Sequence, residues 1–281
     1  MMDFTRIALS ETEFEEDRLE VLLEWAKRFG IGWVELWLPQ CLNGGRTFDD
    51  VKRLLEERNI KACCVSTWTQ LNIDERLREK QELILESIRL AKFLGTDLVN
   101  TYSGHTEGKN LKSAIDTYAQ RIKPALDAAE QTGVTVVLEN EFDTTGTDFT
   151  RRADTTLELV ERINHPRFKL NFDASNFYIA GEEAFPYAYD RLRPHIAYVH
   201  LKGAARRQPG QGQEKSSRVW QDASGDYLCV PFGEGAVNFD GLLRRLEADA
   251  YHGFLSLEPH LSRAYLDEGI RSALDFLKRI R

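Results

Sequence analysis

The sequence predicts one α/β domain, a (β/α)8 TIM barrel running over residues 1–281. Three observations carry that reading. An apolar strand and an amphipathic helix alternate eight times, in a chain of the usual length for such a barrel. The strand candidates are short and mostly apolar on both faces, as strands of a buried parallel sheet are. No linker or low-complexity segment divides the chain. An open doubly wound sheet shares the alternation but fits less well. Its first strand-to-helix turn should carry a glycine fingerprint, and Ala8-Leu9-Ser10-Glu11-Thr12-Glu13-Phe14 has no glycine.

The first helix is read from Leu19, Leu22, Leu23, Ala26 and Phe29 at helical spacing, closed by Gly30. Gly95, Gly133 and Gly253 likewise precede apolar runs, and each is expected to take the left-handed conformation at a helix C-terminus. Strands are expected at Arg6–Ser10, Trp33–Leu38, Lys61–Thr67, Asp97–Ser103, Val134–Asn140, Phe168–Phe172, Ile196–Leu201 and Phe254–Glu258. Helices are expected near 15–29, 48–58, 74–94, 109–131, 154–163, 182–192, 239–249 and 262–280, with Pro124 kinking or splitting the fourth. Residues 203–238 read as one long irregular loop after the seventh strand, of the kind that often serves as a lid. Its first part is basic: Lys202 to Arg218 holds five Lys/Arg against one Glu.

Composition narrows the function classes. A net charge of −8 argues against a general nucleic-acid binder. No apolar run reaches the ~20 residues that span a bilayer, and the N-terminus turns acidic without an apolar secretory core, so no membrane partner and a cytoplasmic location are expected. Cys41, Cys63, Cys64 and Cys229 show no C-x-x-C spacing and read as reduced thiols, the adjacent pair pointing to opposite sides of its strand.

Barrel enzymes draw their reactive groups from strand C-terminal ends. Here the fifth strand ends in Glu139, the sixth in Asp173, the seventh in His200 and the eighth in Glu258. Singly, each could cap a helix or form a rim ion pair. Together, three carboxylates converging on one mouth repel unless a cation lies between them. The mixed oxygen and nitrogen set suits one divalent ion, Mn²⁺, Mg²⁺, Co²⁺ or Zn²⁺.

The strings Val-Val-Leu-Glu-Asn (136–140), Asn-Phe-Asp-Ala-Ser-Asn (171–176), Tyr-Val-His-Leu-Lys-Gly (198–203), Phe-Gly-Glu-Gly-Ala-Val-Asn-Phe-Asp (232–240) and Tyr-His-Gly-Phe-Leu-Ser-Leu-Glu-Pro-His (251–260) resemble the xylose-isomerase-like superfamily. They resemble in particular its branch of ketose 3-epimerases and inosose-processing enzymes. The resemblance implies one metal ion, Mn²⁺ first, held by Glu139, Asp173, His200 and Glu258. It also implies Glu139 and Glu258 as acid and base on opposite faces of a sugar or cyclitol, and Arg206, six residues after His200, on substrate oxygens. The sequence departs from the pattern at Asn176, where many members have His, and at Gly203, where many have Asp. An endonuclease branch with a three-metal cluster needs more histidines than the six present.

Further candidates for substrate contact are Asn176, His105, Lys202, His260, Trp37 and Trp68, each of which also has an ordinary structural reading. The expected chemistry is isomerisation or epimerisation through a metal-stabilised enediolate. A lyase or dehydratase acting on a keto-inositol or keto-sugar would use the same groups, and a non-catalytic barrel is the remaining alternative. The expected partner is a small sugar or cyclitol, with a dimer or tetramer left open.

Overall fold

The structure, a computed structural model, describes residues 6–10 and 18–280. Eight parallel strands close into a barrel: β1 (Ile7–Ser10), β2 (Trp33–Trp37), β3 (Lys61–Ser66), β4 (Leu98–Tyr102), β5 (Thr135–Glu139), β6 (Phe168–Asp173), β7 (Ile196–Leu201) and, after an insert, β11 (Phe254–Leu257). Each predicted strand is found, within a residue or two at its ends. The reading of residues 15–17 as helix lies outside the described residues.

The helices ring the barrel as the periodicity implies. In α1 (Arg18–Phe29), Leu19, Leu22, Leu23 and Ala26 are wholly buried; each such leucine contributes about 1.5–3 kcal/mol. The set continues with α3 (Phe48–Glu56), whose Thr47 forms a capping box with Asp50, and α4 (Leu77–Leu94). Two short helices intervene that the periodicity does not show, α2 (Leu38–Cys41) directly after β2 and α8 (Ala174–Ile179) directly after β6. The fourth predicted helix is split into α5 (Leu111–Arg121) and α6 (Lys123–Thr132), with Pro124 in the first turn of the second piece, where its missing N–H costs nothing. Then come α7 (Ala153–Ile163), α9 (Tyr189–Leu192), α10 (Phe239–Ala248) and α11 (Leu266–Arg279). The helix expected over 182–192 is regular only in its last four residues; Ala184–Ala188 forms a wider turn broken at Phe185.

Gly30, Gly95 and Gly133 have the expected positive φ, but Gly253 does not. Ala250 takes the left-handed position after α10 instead. Gly253 is small for another reason: a Cβ there would collide with Tyr251 and the Ala197 carbonyl.

The stretch 203–238 is not one irregular loop. It folds into an antiparallel sheet of β8 (Gly203–Arg206), β9 (Val219–Asp222) and β10 (Gly225–Val230), in the order β8-β10-β9. Strands of four, four and six residues, the first two joined by a Gly- and Gln-rich stretch, give too little alternation to be read from sequence.

Inside the barrel, alternate residues point inward. Ala8, Cys63, Cys64, Leu98, Val137 and Tyr198 form an apolar plug. Cys63 and Cys64 both belong to it, rather than facing opposite ways, because the register between β2 and β3 slips by one residue there. All four cysteines are free and buried. Above the plug, toward the strand C-termini, the inward positions become polar.

Candidate functional site

Glu139 and Asp173 are the last residues of β5 and β6, His200 is the last but one of β7, and Glu258 follows β11. Parallel pairing sets Asp173 beside His200 and Ser256 beside His200. One ligand-capable atom from each of Glu139, Asp173, His200 and Glu258 lies within 4.8 Å of the others, and all four side chains are buried.

Each of the four is oriented by neighbours. Glu139 accepts hydrogen bonds from three amides: Asn100 (2.9 Å) and Asn171 (3.1 Å) on Oε2, and Asn176 (3.1 Å) on Oε1. The Asp173 Oδ1 caps α8 by accepting from the Asn176 N–H (2.8 Å). Its Oδ2 lies 3.0 Å from Lys202 Nζ, which also donates to Glu258 Oε2 at 2.9 Å. His200 Nε2 lies 2.8 Å from Glu35 Oε2. With Nε2–H donating to that carboxylate, the Nδ1 lone pair faces Glu139 Oε1 (3.3 Å) and Glu258 Oε2 (3.5 Å). Glu35 is itself held by Ser66, by Tyr198 OH (2.8 Å) and by Ser256 (3.0 Å).

The charges are strongly coupled. Burial alone would raise the Glu35 carboxyl, but the charge and hydrogen bond of His200, with Ser66, hold it below its ordinary value. Burial disfavours protonated His200, yet Glu139, Glu35 and Glu258 push it well above the usual imidazole range. Lys202 is likewise raised, because Asp173 and Glu258 outweigh its burial. Glu258 is held well below a normal carboxyl, its burial overcome by Lys202, His200 and His260.

These residues fit a divalent ion. With Lys202 and the protonated His200 both charged, the four carboxylates of Glu35, Glu139, Asp173 and Glu258 still exceed the cations by two, and by three once an ion takes the imidazole in its neutral form. One buried atom of the set, His200 Nδ1, has no hydrogen-bond partner, and Asp173 Oδ2 meets only the Lys202 ammonium; orphaned buried polar atoms are rare unless something else satisfies them. At 4 Å each carboxylate pair repels by about 4 kcal/mol at an effective dielectric of 20. A cation at the centre removes that repulsion and gives His200 Nδ1 a partner.

Glu139 and Glu258 of the cluster reach a cavity of about 300 Å³ that is also lined by Trp37, Trp68, Tyr102, Glu141, Lys202, Arg218, Trp220 and His260, among others. Of the residues singled out in the sequence, Trp37, Trp68, Lys202 and His260 line it. Asn176 is buried beneath it, holding Glu139. His105 is not on the lining; its Nδ1 accepts the Glu107 N–H (3.1 Å). Arg206 also points elsewhere, its guanidinium donating to the Ser224 carbonyl (3.0 Å) within the insert. Sequence reasoning missed Glu141, Arg218 and Trp220. Glu141, two residues past a strand-ending glutamate, follows β5 into the mouth, and burial and the Glu139 charge raise its carboxyl well above normal.

The insert is docked on the barrel. Arg151 donates to Asp222 Oδ2 (3.1 Å) in a buried ion pair, Ser224 to the Ile179 carbonyl (3.2 Å) and Ser217 to the His260 carbonyl (3.1 Å). Trp220 packs edge-on against Phe142 and His260. No helix of the described residues is long and apolar enough to cross a membrane.

Comparison with known proteins places this geometry. The model of a family described as xylose isomerase-like TIM barrel matches residues 23–280. The chain is 23% identical over 242 residues to a 3-dehydroshikimate dehydratase of Bacillus anthracis, covering 84% of each chain. It is 25% identical over 277 residues to an inosose isomerase of Halalkalibacterium halodurans, covering 94% of this chain and 92% of the relative. Among solved structures it is similar to the IOLI protein with a binding zinc atom (TM-score 0.74, 18% identity, 98% of this chain and 97% of the other).

Proposed function

The chain belongs to the xylose isomerase-like TIM-barrel family, and from that premise we propose that it is a divalent-metal-dependent isomerase or epimerase of a sugar or cyclitol ketone. The observation that carries the proposal is the buried cluster of Glu139, Asp173, His200 and Glu258, in which one ligand-capable atom of each lies within 4.8 Å of the others and His200 Nδ1 has no hydrogen-bond partner. The four would hold one ion, Mn²⁺ first, with Mg²⁺, Co²⁺ and Zn²⁺ as alternatives; the zinc in a structural neighbour supports an ion of this class. When bound, such an ion supplies Lewis-acid polarisation of a carbonyl.

The protein's own groups do the rest. Glu139 and Glu258 reach the cavity from strands on either side of β6 and β7, so they can address one carbon from two directions. One takes the proton beside the carbonyl and the other returns it. Their settings differ: three neutral amides hold Glu139, while Lys202 holds Glu258 by charge. Lys202 also offsets the negative charge of the site as a proton leaves. The insert covers the mouth and keeps water from the reacting carbon, and its opening would admit substrate.

A second reading is a dehydratase, favoured by the similarity to the 3-dehydroshikimate enzyme. It shares the proton abstraction but expels a hydroxyl β to the carbonyl. The test is metal content by mass spectrometry of wild type and of Glu139→Ala/Glu258→Ala, followed by product mass with keto-sugars and keto-cyclitols. About one ion per chain, absent from the double variant, with unchanged product mass is expected. Loss of water from the product would select the dehydratase, and a metal-free wild type after dialysis against Mn²⁺, Co²⁺ and Zn²⁺ would overturn both.

A further inference from the structure

Lys202 is a buried cation set among the four clustered side chains. It follows β7, two residues past His200, and its side chain enters the mouth on the same side. Only 4% of the residue is exposed. Its backbone is pinned on both sides. Ser175 donates to the Lys202 carbonyl, and Gly203 lies against the Val230 carbonyl with no room for a Cβ. Any change of position therefore falls to the long, flexible side chain, which carries its charge as a point at the tip.

The ammonium engages the oxygens that an ion would use. Its Nζ lies 3.0 Å from Asp173 Oδ2 and 2.9 Å from Glu258 Oε2. In Asp173, Oδ2 is the oxygen turned to the cluster, since Oδ1 accepts the Asn176 N–H at the start of α8. In Glu258, Oε2 is again the inward oxygen, 3.5 Å from His200 Nδ1 and 3.4 Å from His260 Nε2. A divalent ion held by the four side chains draws on these same lone pairs. It also brings two positive charges close to a third, in a buried place where solvent and salt screen little.

The side chain has a second place to rest. The ring centre of Trp220 is 5.4 Å from Nζ, within reach of cation–π attraction. Both residues line the cavity of about 300 Å³, so the ammonium can move toward the ring without entering the apolar core.

We propose that Lys202 is a built-in rival of the metal ion: its ammonium holds Asp173 and Glu258 together, and an ion that binds must take their oxygens from it, turning Lys202 toward Trp220. Lys202 thereby sets how tightly the ion is held. This rests on the metal site proposed above and concerns its affinity, not the reaction. Two effects follow from the charge. Without the ammonium, the ion-free cluster loses a counter-charge and the fold weakens. The ion, relieved of its rival, binds more tightly, and because it binds the folded chain the gain returns as stability. A side chain that only packs would affect both forms alike.

The test is thermal unfolding of wild type and Lys202→Met, each in EDTA and each loaded with Mn²⁺, beside Mn²⁺ affinity by chelator competition. In EDTA the variant should melt below wild type; loaded with Mn²⁺, it should melt level with wild type or above it. Its Mn²⁺ affinity should rise about tenfold or more. Lys202→Gln, which removes the charge and keeps a donor, should show the same tightening, and it carries the test if the methionine variant does not fold. Equal destabilisation of both forms, or unchanged or weaker Mn²⁺ binding, would overturn the inference and make Lys202 a support for the ligands. Neither Mn²⁺ nor Zn²⁺ bound by wild type would overturn the metal site itself, and this inference would fall with it.

Discussion

Four neighbouring strands, β5, β6, β7 and β11, place Glu139, Asp173, His200 and Glu258 at the barrel mouth, whereas β1 to β4 place Ser10, Trp37, Trp68 and Tyr102 at or just beyond their ends. The ionisable half is held by short, directed bonds: three amides on Glu139 and one ammonium between Asp173 and Glu258. The aromatic half is held by ring packing, and Trp68 remains 46% exposed. Chemistry needs side chains fixed to a fraction of an ångström, while recognition of a ring needs only a face of the right shape. One residue crosses the division. Glu35, on β2, reaches across the barrel to His200 and sets its tautomer.

Removing one of the two carboxylates proposed to move the proton should have the largest effect. Glu258→Ala should lower turnover on the order of 10²–10⁴-fold with the fold intact, read as kcat beside a circular dichroism spectrum. Wild-type turnover in a folded variant would remove Glu258 from the chemistry. Next is the pair that pins the insert to the ionisable half. Arg151→Met strands the Asp222 carboxylate in the interior and should cost about 3–5 kcal/mol by urea unfolding. Arg151→Met with Asp222→Leu should recover much of that loss, and no recovery would show that the pair is not what holds the insert.

The loop after β5 is tied back to β4 through Asp148, which accepts from Ser103 (3.0 Å) and the Thr150 N–H (2.8 Å). Burial pushes Asp148 up to about 6 despite those bonds, against roughly 3.9 in an unfolded chain. A carboxyl with a raised folded value binds its proton more tightly when folded. Its stabilising contribution is therefore present below about pH 4 and lost as pH rises through about 6, a change of roughly 3 kcal/mol. Asp148→Asn should flatten that part of the stability profile; an unchanged slope would assign it to another group.

Glu35→Gln keeps the shape but weakens the hold on His200, and should reduce metal affinity about 10–100-fold in a chelator competition. An unaltered affinity would mean that the two halves do not communicate through this bond. The smallest effect is expected from Trp68→Ala, about tenfold or less in KM with kcat nearly preserved, since stacking contributes about 0.5–1.5 kcal/mol beyond area. A fall in kcat instead would place Trp68 among the positioning groups.

The sequence made the ionisable half legible because its signal is local: each of Glu139, Asp173, His200 and Glu258 closes an apolar run. The barrel and the family resemblance were legible for the same reason, and the family match bears both out. What escaped depends on distant pairing. Glu35 and His200 are separated by 165 positions. Arg206 looked like the substrate arginine from its offset to His200, but it sits on β8 opposite Tyr227, and that register sends it to Ser224. Arg218 gains its place on the lining only because β9 folds back against β10. No local pattern announces an antiparallel sheet of such short strands.

The chain enters the insert at Gly203 and leaves it at Val230, and these two residues pair with each other. The approach leaves no space for a Cβ at Gly203 against the Val230 carbonyl, which explains the glycine at that position. A segment whose ends already meet is a cassette. Its tip can be lengthened, shortened or exchanged at little closure cost, since that cost grows only logarithmically with length. The barrel strands that carry Glu139, Asp173, His200 and Glu258 need not move when this happens. Residues 204–229 are therefore where a library of graft variants would change what the cavity accepts while leaving Glu139, Asp173, His200 and Glu258 in place.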